Sequence, residues 1–257
     1  MKNAKPDYGY TAIKPFVIIG CIGLLGLTGA IIGYKSEGII SLVLKIICLP
    51  VAFTGIYVSL AYIPLYNIVI KPRKGDNFWE TVLKKENLKV NAKALDVGCG
   101  TVQVSIEISK YLKSGHVTGI DVFRGMSGNS PEQPVRNAKI EGLINRVEFK
   151  YGNLLEIPFP DNTFDLVTAG SVLHEVEGRD NKLKALGEIY RVLKPGGKFI
   201  TVEILRNFRL IIAVLVFIFV WKTDTYWKYL FNETEFSRTY SDYKIRFLKF
   251  GIYILQK

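Results

Sequence analysis

The chain is poor in the residues that build disulfide frameworks and metal centres. Its 257 residues include three cysteines and two histidines, too few for a disulfide scaffold and without the spacing of metal ligands. Charge is also scarce relative to apolar content, because 22% of the residues are charged and 49% are hydrophobic, with a mean hydropathy of +0.19. A basic protein of this composition has either an unusually apolar core or a part that lies in lipid.

The apolar residues are concentrated near the beginning of the chain. Residues 16–33 and residues 46–70 contain no charged side chain, and an uncharged apolar run of about 18 residues can cross a bilayer. The pattern predicts two transmembrane helices, at about 15–34 and 38–63. A cleaved signal peptide fits less well, because the first run is long and a second apolar run follows it at once.

Positive charge is concentrated at the two ends of the chain. Residues 1–74 carry eight basic and two acidic side chains, residues 206–257 carry nine and four, and the segment between them has no net charge. A nucleic-acid enzyme more often has a basic stripe across its working domain, so no nucleic-acid partner is expected. Because basic flanks of membrane helices stay inside the cell, we predict a multi-pass membrane protein whose two termini and catalytic domain are cytoplasmic. The basic ends then face anionic lipid, or they serve only solubility and topology.

The segment from residue 93 to residue 204 alternates short apolar runs with helical patterns. The predicted strands are 93–97, 116–120, 147–151, 164–169 and 198–204, the predicted helices are 104–112, 134–143 and 182–193, and two last strands are predicted at 243–250 and 252–255. Such alternation is typical of a parallel α/β sheet, which binds ligands beyond the carboxyl ends of its strands. We therefore predict a membrane anchor at 1–74 and a cytoplasmic α/β domain at 75–257.

The sharpest motif is the glycine turn that follows the first predicted strand. In Leu95-Asp96-Val97-Gly98-Cys99-Gly100-Thr101, two glycines let the backbone approach a ligand where a Cβ would clash. Asp121 ends the second predicted strand, where a carboxylate can accept both hydroxyls of a ribose. The acid before the turn and the lack of Gly-x-Gly-x-x-Gly favour methyl transfer over hydride transfer.

Two further motifs make the pattern specific, NLLEIPFPDNTFDLV at 153–167 and RVLKPGGKF at 191–199. With them, the stretch from about residue 90 to residue 204 resembles class I S-adenosylmethionine-dependent methyltransferases, and it looks most like the small-molecule branch of the ubiquinone, menaquinone and sterol methyltransferases. The resemblance implies a Rossmann-like α/β fold, with a mostly parallel seven-stranded sheet whose last strand is antiparallel. It also implies S-adenosyl-L-methionine as the cofactor and a methyltransferase of the EC 2.1.1 class.

The same resemblance implies which residues bind the cofactor. They are Asp96, Gly98, Cys99 and Gly100 in the first motif at the methionine moiety, Asp121 at the ribose, Val122, Asn153 and Leu154 around the adenine, and Ser171 near the sulfonium. Two positions depart from the family pattern, because Val102 replaces a third glycine and Asn153 replaces an acid. An Asn carbonyl can still accept a hydrogen bond from the adenine amino group. The departures leave open a weaker cofactor affinity or a domain that has lost catalysis.

The chemistry predicts little dedicated catalytic machinery. Methyl transfer from a sulfonium mainly requires alignment of the nucleophile, so neither a triad nor a metal is expected. A base helps when the acceptor is a phenol, a hydroxyl or an acidic carbon. His174 and Glu175, just past the fourth predicted strand, are the candidates, and a neutral His174 could take the proton. The alternative is that His174 only shapes the pocket or caps the next helix.

A second apolar segment, at 208–221, follows the fifth predicted strand, where the family places a substrate-covering insertion. Its twelve apolar residues from 210 to 221 would extend only about 18 Å as a helix, too short to cross a bilayer. The aromatic side chains at its end and just beyond it suit a lipid–water interface, and they are Trp221, Tyr226, Trp227 and Tyr229. We predict a helix in the cytoplasmic leaflet over the active-site mouth, with a buried lid helix as the alternative.

The combined prediction is a membrane methyltransferase whose partners are the bilayer and a small, lipophilic acceptor. The acceptor atom stays open among O, N, S and C, and so does the oligomeric state. One alternative is a catalytically degenerate cofactor-binding or scaffold membrane protein. The other is a dinucleotide-dependent oxidoreductase, which the acid before the glycine turn disfavours.

Overall fold

The structure is a computed structural model, and it describes residues 6, 8, 13–69, 78–124, 131–206, 221–245 and 248–257. Two long helices come first, α1 (Ile13–Lys35) and α2 (Gly38–Val69). The sheet domain follows, with helices α3 (Phe78–Lys85), α4 (Gln103–Tyr111), α5 (Glu132–Ile140), α6 (Arg179–Val192) and α7 (Asp224–Asn232). Its strands are β1 (Lys93–Val97), β2 (His116–Asp121), β3 (Val147–Tyr151), β4 (Phe164–Gly170), β5 (Leu193–Ile204), β6 (Ser237–Ile245) and β7 (Leu248–Gln256).

Helices α1 and α2 form an antiparallel hairpin whose backbones touch at glycines. A Cβ on Gly23 would lie 2.7 Å from the backbone nitrogen of Ile56, and one on Gly26 would lie 2.8 Å from that of Ala52. The recurring glycines therefore permit a helix contact that larger residues would prevent. Within the described residues, the two helices are long and apolar enough to cross a bilayer over Phe16–Lys35 and Gly38–Leu60. Helix α2 continues beyond its predicted end.

The seven strands form one sheet in the order β3-β2-β1-β4-β5-β7-β6. Strands β1 to β5 pair in parallel, whereas β7 runs antiparallel to both β5 and β6. The predicted Rossmann-like sheet, mostly parallel with an antiparallel last strand, is confirmed. Strands β2 and β3 lie on one side of β1 and β4 lies on the other. The strand order therefore reverses between β1 and β4, and open sheets of this type bind ligands beyond such a point.

The core lies on both faces of the sheet because successive strand residues point to opposite sides. Ala94 and Leu166 belong to a buried cluster that α3 and α4 cover. Leu95 and Val167 belong to the cluster on the other face, which α6 and α7 cover. Both faces of the sheet are therefore apolar, as a sheet covered by helices on both sides requires.

Two strand boundaries differ from the sequence prediction. Strand β5 begins at Leu193, which pairs with Phe164 before the register shifts, so the Pro-Gly-Gly turn lies inside this strand and does not precede it. Strands β6 and β7 pair as far as Ile245 opposite Leu248, and Gly251 lies within β7 opposite Glu203. A Cβ on Gly251 would collide with the ring of Tyr253, which explains a glycine inside β7 where the sequence predicts the break between two strands.

The interfacial placement of the aromatic cluster is wrong for its two tryptophans. Trp221 and Trp227 are buried in the protein core, and the ring of Trp227 stacks at 6.0 Å on that of Phe231. Helix α7 turns this apolar face toward the sheet and leaves Tyr229 exposed. Apart from Trp221, the predicted insertion at 208–221 lies outside the described residues.

Candidate functional site

The carboxyl ends of β1, β2 and β4 meet at one edge of the sheet. Val97 pairs with Ile120 and Asp96 pairs with Thr168, so the segments that follow these strands lie side by side. The glycine turn follows β1, Asp121 ends β2, and the segment with Ser171 and His174 follows β4. The structure thus brings together predicted site residues that are up to 78 positions apart in the sequence.

The glycine turn is held to the end of β2 by its backbone amides. The amides of Gly98 and Cys99 both donate to the carbonyl oxygen of Ile120, at 2.8 and 3.1 Å. Gly98 has φ of +66°, and a Cβ there would collide with the side chain of Val172. Only glycine fits both this backbone conformation and this space.

Asp121 is a buried carboxylate that links the turn to β2. Its Oδ2 accepts a 2.9 Å hydrogen bond from the amide of Gly100, and its Oδ1 accepts a 2.7 Å bond from the amide of Phe123. Each carboxylate oxygen has a second lone pair, so the group can still accept ribose hydroxyls. The two hydrogen bonds from backbone amides fix the direction in which the Asp121 carboxylate can accept those hydroxyls.

Asp96 lies behind the turn, almost completely buried. Its carboxylate accepts hydrogen bonds from the hydroxyls of Ser105 at 2.5 Å and Thr168 at 2.9 Å. Burial raises the pKa of Asp96 from 3.8 to about 6, although both hydroxyls act to lower it. In this position Asp96 joins α4 to β4 behind the glycine turn.

Three non-glycine residues at this edge have left-handed backbones. Val102, Phe123 and Ser171 have φ of +72°, +44° and +56°, and they follow β1, β2 and β4. Such conformations cost free energy in non-glycine residues and are concentrated at functional sites. Ser171 is held there because its amide donates a 2.8 Å hydrogen bond to the carbonyl oxygen of Val202.

The residues expected around the adenine lie at the ends of β2 and β3. Val122 is exposed beside Asp121, whereas Leu154 is partly buried and packs against the core. Asn153 Oδ1 accepts a 2.9 Å hydrogen bond from the amide of Leu155, so its amide group is fixed in the turn after β3. Cys99 is buried, and burial raises the pKa of its thiol, which leaves it unreactive.

His174 has a partner that sequence reasoning missed. Its Nδ1 lies 2.8 Å from Oε2 of Glu203, a fully buried carboxylate on β5 whose Oε1 accepts from the amide of Leu173 at 3.0 Å. Burial alone lowers the pKa of His174, but the hydrogen bond and charge of Glu203 outweigh it and raise that pKa. The sequence signal that could have identified Glu203 is the presence of an acidic residue within the apolar run of β5.

The second candidate base, Glu175, is the next residue in the same short turn. Burial raises the pKa of its carboxyl, and the charges of Asp121 and Glu203 add to the effect while His174 opposes it. Glu175, Glu203 and His174 therefore lie near one another, and the hydrogen bond between His174 and Glu203 joins two of them. Among the described residues, no three His, Cys, Asp or Glu side chains are grouped to hold a metal ion.

Comparisons with known proteins find matches to the segment that forms this edge of the sheet. Residues 95–201 match the family described as a methyltransferase domain. The demethylmenaquinone methyltransferase of Geobacillus sp. (strain WCH70) is 39% identical over 138 residues, which make up 53% of this chain and 56% of that relative. The chain thus spans about half the length of the curated relatives it matches.

Solved structures share the fold at low sequence identity. A SAM-dependent methyltransferase from Aquifex aeolicus has a TM-score of 0.57 at 24% identity, covering 70% of this chain and 89% of its own. The [4+2]-cyclase SpnF has a TM-score of 0.57 at 20% identity, covering 69% of this chain and 78% of its own. These likenesses concern the fold alone, because one fold can serve different reactions.

Proposed function

We propose that this chain, whose residues 95–201 match a methyltransferase domain, is a class I S-adenosylmethionine-dependent methyltransferase that methylates a small lipophilic acceptor at a membrane. The observation that carries the proposal is the 2.9 Å hydrogen bond between the amide of Gly100 and the carboxylate of Asp121. It joins a glycine turn that a ligand can approach closely to an acid suited to a ribose. The hydrogen bond lies at the carboxyl ends of β1 and β2, the edge at which sheets of this type bind ligands.

The residues at this edge fit S-adenosyl-L-methionine. Gly98 and Gly100 would hold the methionine moiety, Asp121 the ribose, and Val122 and Asn153 the adenine. The fit rests on the glycine conformation of the turn at Gly98 and on the fixed direction of the Asp121 carboxylate. When bound, the cofactor supplies an electrophilic methyl group on a sulfonium.

His174 is the general base in this proposal. Because Glu203 accepts at Nδ1, the neutral imidazole carries its proton there and has its lone pair on Nε2. Nε2 takes a proton from the acceptor, and the nearby carboxylate stabilises the imidazolium that forms. Glu203 is therefore a positioning residue, since it fixes the tautomer and ring orientation of the base.

A hydroxylated aromatic ring is the acceptor class that this base favours. The relatives are named demethylmenaquinone methyltransferases, and we extend a quinone-derived acceptor to this chain as part of the proposal. A ring hydroxyl of a reduced quinone loses its proton to an imidazole more readily than an alkyl alcohol does. Its deprotonation raises the electron density on both the oxygen and the adjacent ring carbons.

The segment at 1–74, which contains the α1–α2 hairpin, is the proposed membrane anchor of the methyltransferase domain at 75–257. Its outer surface is apolar, with Leu25, Ile39 and Phe53 exposed by 71%, 80% and 70%, and water-soluble proteins rarely expose such contiguous patches. Hydroxyls inside the hairpin donate to carbonyl oxygens, as from Ser59 to Phe16 at 2.9 Å. Internally satisfied polar groups and an apolar exterior suit a bilayer.

The hairpin also supports a cytoplasmic position for the sheet domain and for the segment before α1. Since α1 and α2 are antiparallel, the start of α1 and the end of α2 lie on the same side. Residue 8, before α1, and the sheet domain, after α2, are therefore both on that side. The basic residues Lys2, Lys5 and Lys14 before α1 and Lys71, Arg73 and Lys74 after α2 favour the cytoplasm for it.

Calorimetry on the full chain in detergent micelles tests the cofactor. S-adenosylhomocysteine should bind and NAD should not, and Asp121→Ala should weaken binding by about 1.5–3 kcal/mol, the value of hydrogen bonds to a charged group. Asp180→Ala, at a carboxylate that is 96% exposed, is the matched control and should bind normally. Binding of NAD alone would favour the oxidoreductase, and binding of neither would favour the scaffold protein.

A further inference from the structure

The segment ahead of the first membrane helix contacts the glycine turn. Thr101 Oγ1 donates a 2.7 Å hydrogen bond to the carbonyl oxygen of Tyr8. The Tyr8 hydroxyl in turn donates at 2.7 Å to Oε1 of Glu141, whose other oxygen pairs with Lys110 at 2.7 Å. Tyr8 is therefore tied by its backbone to the turn and by its side chain to the ends of α4 and α5.

The ring of Tyr8 also packs against a buried apolar cluster below the turn. The cluster consists of Cys99, Val102, Ile106, Phe123 and Leu143. Cys99 belongs to the glycine turn and Val102 follows it directly, while Phe123 comes two residues after Asp121, the acid proposed to bind the ribose. The ring therefore contacts the apolar support of the two elements that would hold the cofactor.

The turn needs such support because of Val102. A β-branched residue is strongly disfavoured in the left-handed region, yet Val102 has φ of +72° and is completely buried. Strained conformations persist only where their surroundings hold them. Thr101, just before it, is held from two sides, by Tyr8 and by Asn137, whose side-chain amide donates to the Thr101 carbonyl oxygen at 3.1 Å.

We propose that Tyr8 is a positioning residue of the cofactor site, which holds the strained Thr101–Val102 turn in the conformation that binds S-adenosylmethionine. Cofactor affinity then depends on a residue outside the matched methyltransferase domain and directly ahead of α1. The inference rests on the proposed function, because it concerns the affinity for that same cofactor. It also explains how this chain tolerates valine where the related motif has glycine.

The position of Tyr8 places the cofactor crevice near the membrane. Four residues separate Tyr8 from Ile13, the first residue of α1, and five Cα–Cα steps span at most about 18 Å. The glycine turn therefore lies within about that distance, plus the hydrogen bond to Tyr8, of the end of a membrane helix. An acceptor that stays partly in the bilayer is then within reach of the crevice.

Calorimetry with S-adenosylhomocysteine tests the role of Tyr8 in the full chain in detergent micelles. Tyr8→Ala should weaken binding about tenfold, and Tyr8→Phe, which keeps the ring, about threefold, as expected for a lost hydrogen bond. The matched control is Tyr111→Phe, which removes a 2.9 Å hydrogen bond to the carbonyl oxygen of Leu88 at the far end of α4. The control should bind normally, and thermal unfolding confirms that each variant is folded.

A double-mutant cycle with Val102→Gly separates positioning from general stabilisation. If Tyr8 holds the strained turn, Tyr8→Ala should cost less affinity, about threefold or below, once glycine removes the strain. An equal loss in both backgrounds, or no loss in either, overturns the inference and leaves the proposed function intact. Failure of the unaltered chain to bind S-adenosylhomocysteine overturns both.

Discussion

Glu203 and His174 are 29 residues apart in the chain, and their side chains are joined by a 2.8 Å hydrogen bond between Oε2 and Nδ1. The carboxylate is completely buried, and a buried charge is tolerated only when it is paired and hydrogen-bonded. The amide of Leu173 provides its second hydrogen bond. Glu203 and His174 therefore form one unit, which fixes both the orientation and the protonation of the histidine.

Glu203→Gln should lower kcat and shift its pH profile. His174 acts as a base only when neutral, so the rate should rise with pH through the raised pKa of this histidine. Removing the Glu203 charge lowers that pKa, so the rise moves to lower pH while the maximum rate falls by about 10²-fold, the lower range for acid–base catalysis. The measurement is kcat for methyl transfer between about pH 5 and pH 9.

The charges of Glu175 and Lys182 also act on His174, in opposite directions. Glu175→Gln is therefore the matched control. It should shift the pH profile of kcat in the same direction as Glu203→Gln but by less, because the hydrogen bond between His174 and Glu203 is kept. The KM for the cofactor should stay constant in both variants. A profile that Glu203→Gln leaves unchanged would remove His174 from the role of base.

Asp96→Asn should stabilise the protein at neutral pH and weaken cofactor binding. The pKa of Asp96 is about 6 in the folded chain against an ordinary 3.8, so its contribution to stability is complete below about pH 4 and is lost as the pH rises through 6. The asparagine amide has no charge to bury, so the variant should be more stable than the unaltered chain by on the order of 3 kcal/mol above pH 7.

Thermal unfolding of the full chain in detergent, at about pH 4.5 and pH 7.5, measures the Asp96 effect. The difference in Tm between the variant and the unaltered chain should be larger at the higher pH. The same samples should bind S-adenosylhomocysteine more weakly after the substitution, because the charge behind the glycine turn is gone. A constant difference in Tm at both pH values contradicts the raised pKa.

Gly98→Ala should abolish cofactor binding. The added Cβ would collide with Val172, and the positive φ of Gly98 strains any other residue. Gly187→Ala is the matched control, because Gly187 lies inside α6 with open space at its Cβ and alanine there should stabilise by about 0.5–1 kcal/mol. Calorimetry with S-adenosylhomocysteine compares the two, and normal binding by Gly98→Ala would refute the proposed turn geometry.

Gly29→Cys should form a disulfide with the native Cys48 across the hairpin. A Cβ on Gly29 would lie 2.7 Å from Sγ and 3.4 Å from Cβ of Cys48, close to disulfide geometry. Leu25→Cys, on the exposed outer face, should stay reduced under the same mild oxidation. Counting free thiols by maleimide labelling after unfolding distinguishes the two, and an unpaired Gly29→Cys would contradict the helix register.

Local patterns in the sequence were sufficient to predict the sheet and its glycine turn. The turn residues and Asp121 lie at the ends of short apolar strands, so their placement follows from the topology of a parallel sheet. Glu203 was missed because its partner is far away in the chain, and an acid inside a strand gives no local sign of burial. Tyr8 was missed for the same reason, since 93 residues separate it from Thr101.

The sequence also did not reveal which side of a helix faces the protein core. Trp227 stands among cations and tyrosines, as interfacial aromatic residues do, yet the sheet covers its face of α7. The side of a short amphipathic helix that faces the core is decided by the surface on which it docks. Interface and core therefore look alike in the sequence until the packing partner is known.

The most direct test is methyl transfer by the full chain in liposomes that contain a demethylated quinol. With S-adenosylmethionine labelled in its methyl group, the label should enter the lipid-extractable quinol, and both Asp121→Ala and His174→Ala should strongly reduce its transfer. Mass spectrometry of the extract then identifies the methylated atom. Label that remains on the cofactor, or that enters only water-soluble compounds when these are also supplied, would contradict methylation of a lipophilic acceptor at the membrane.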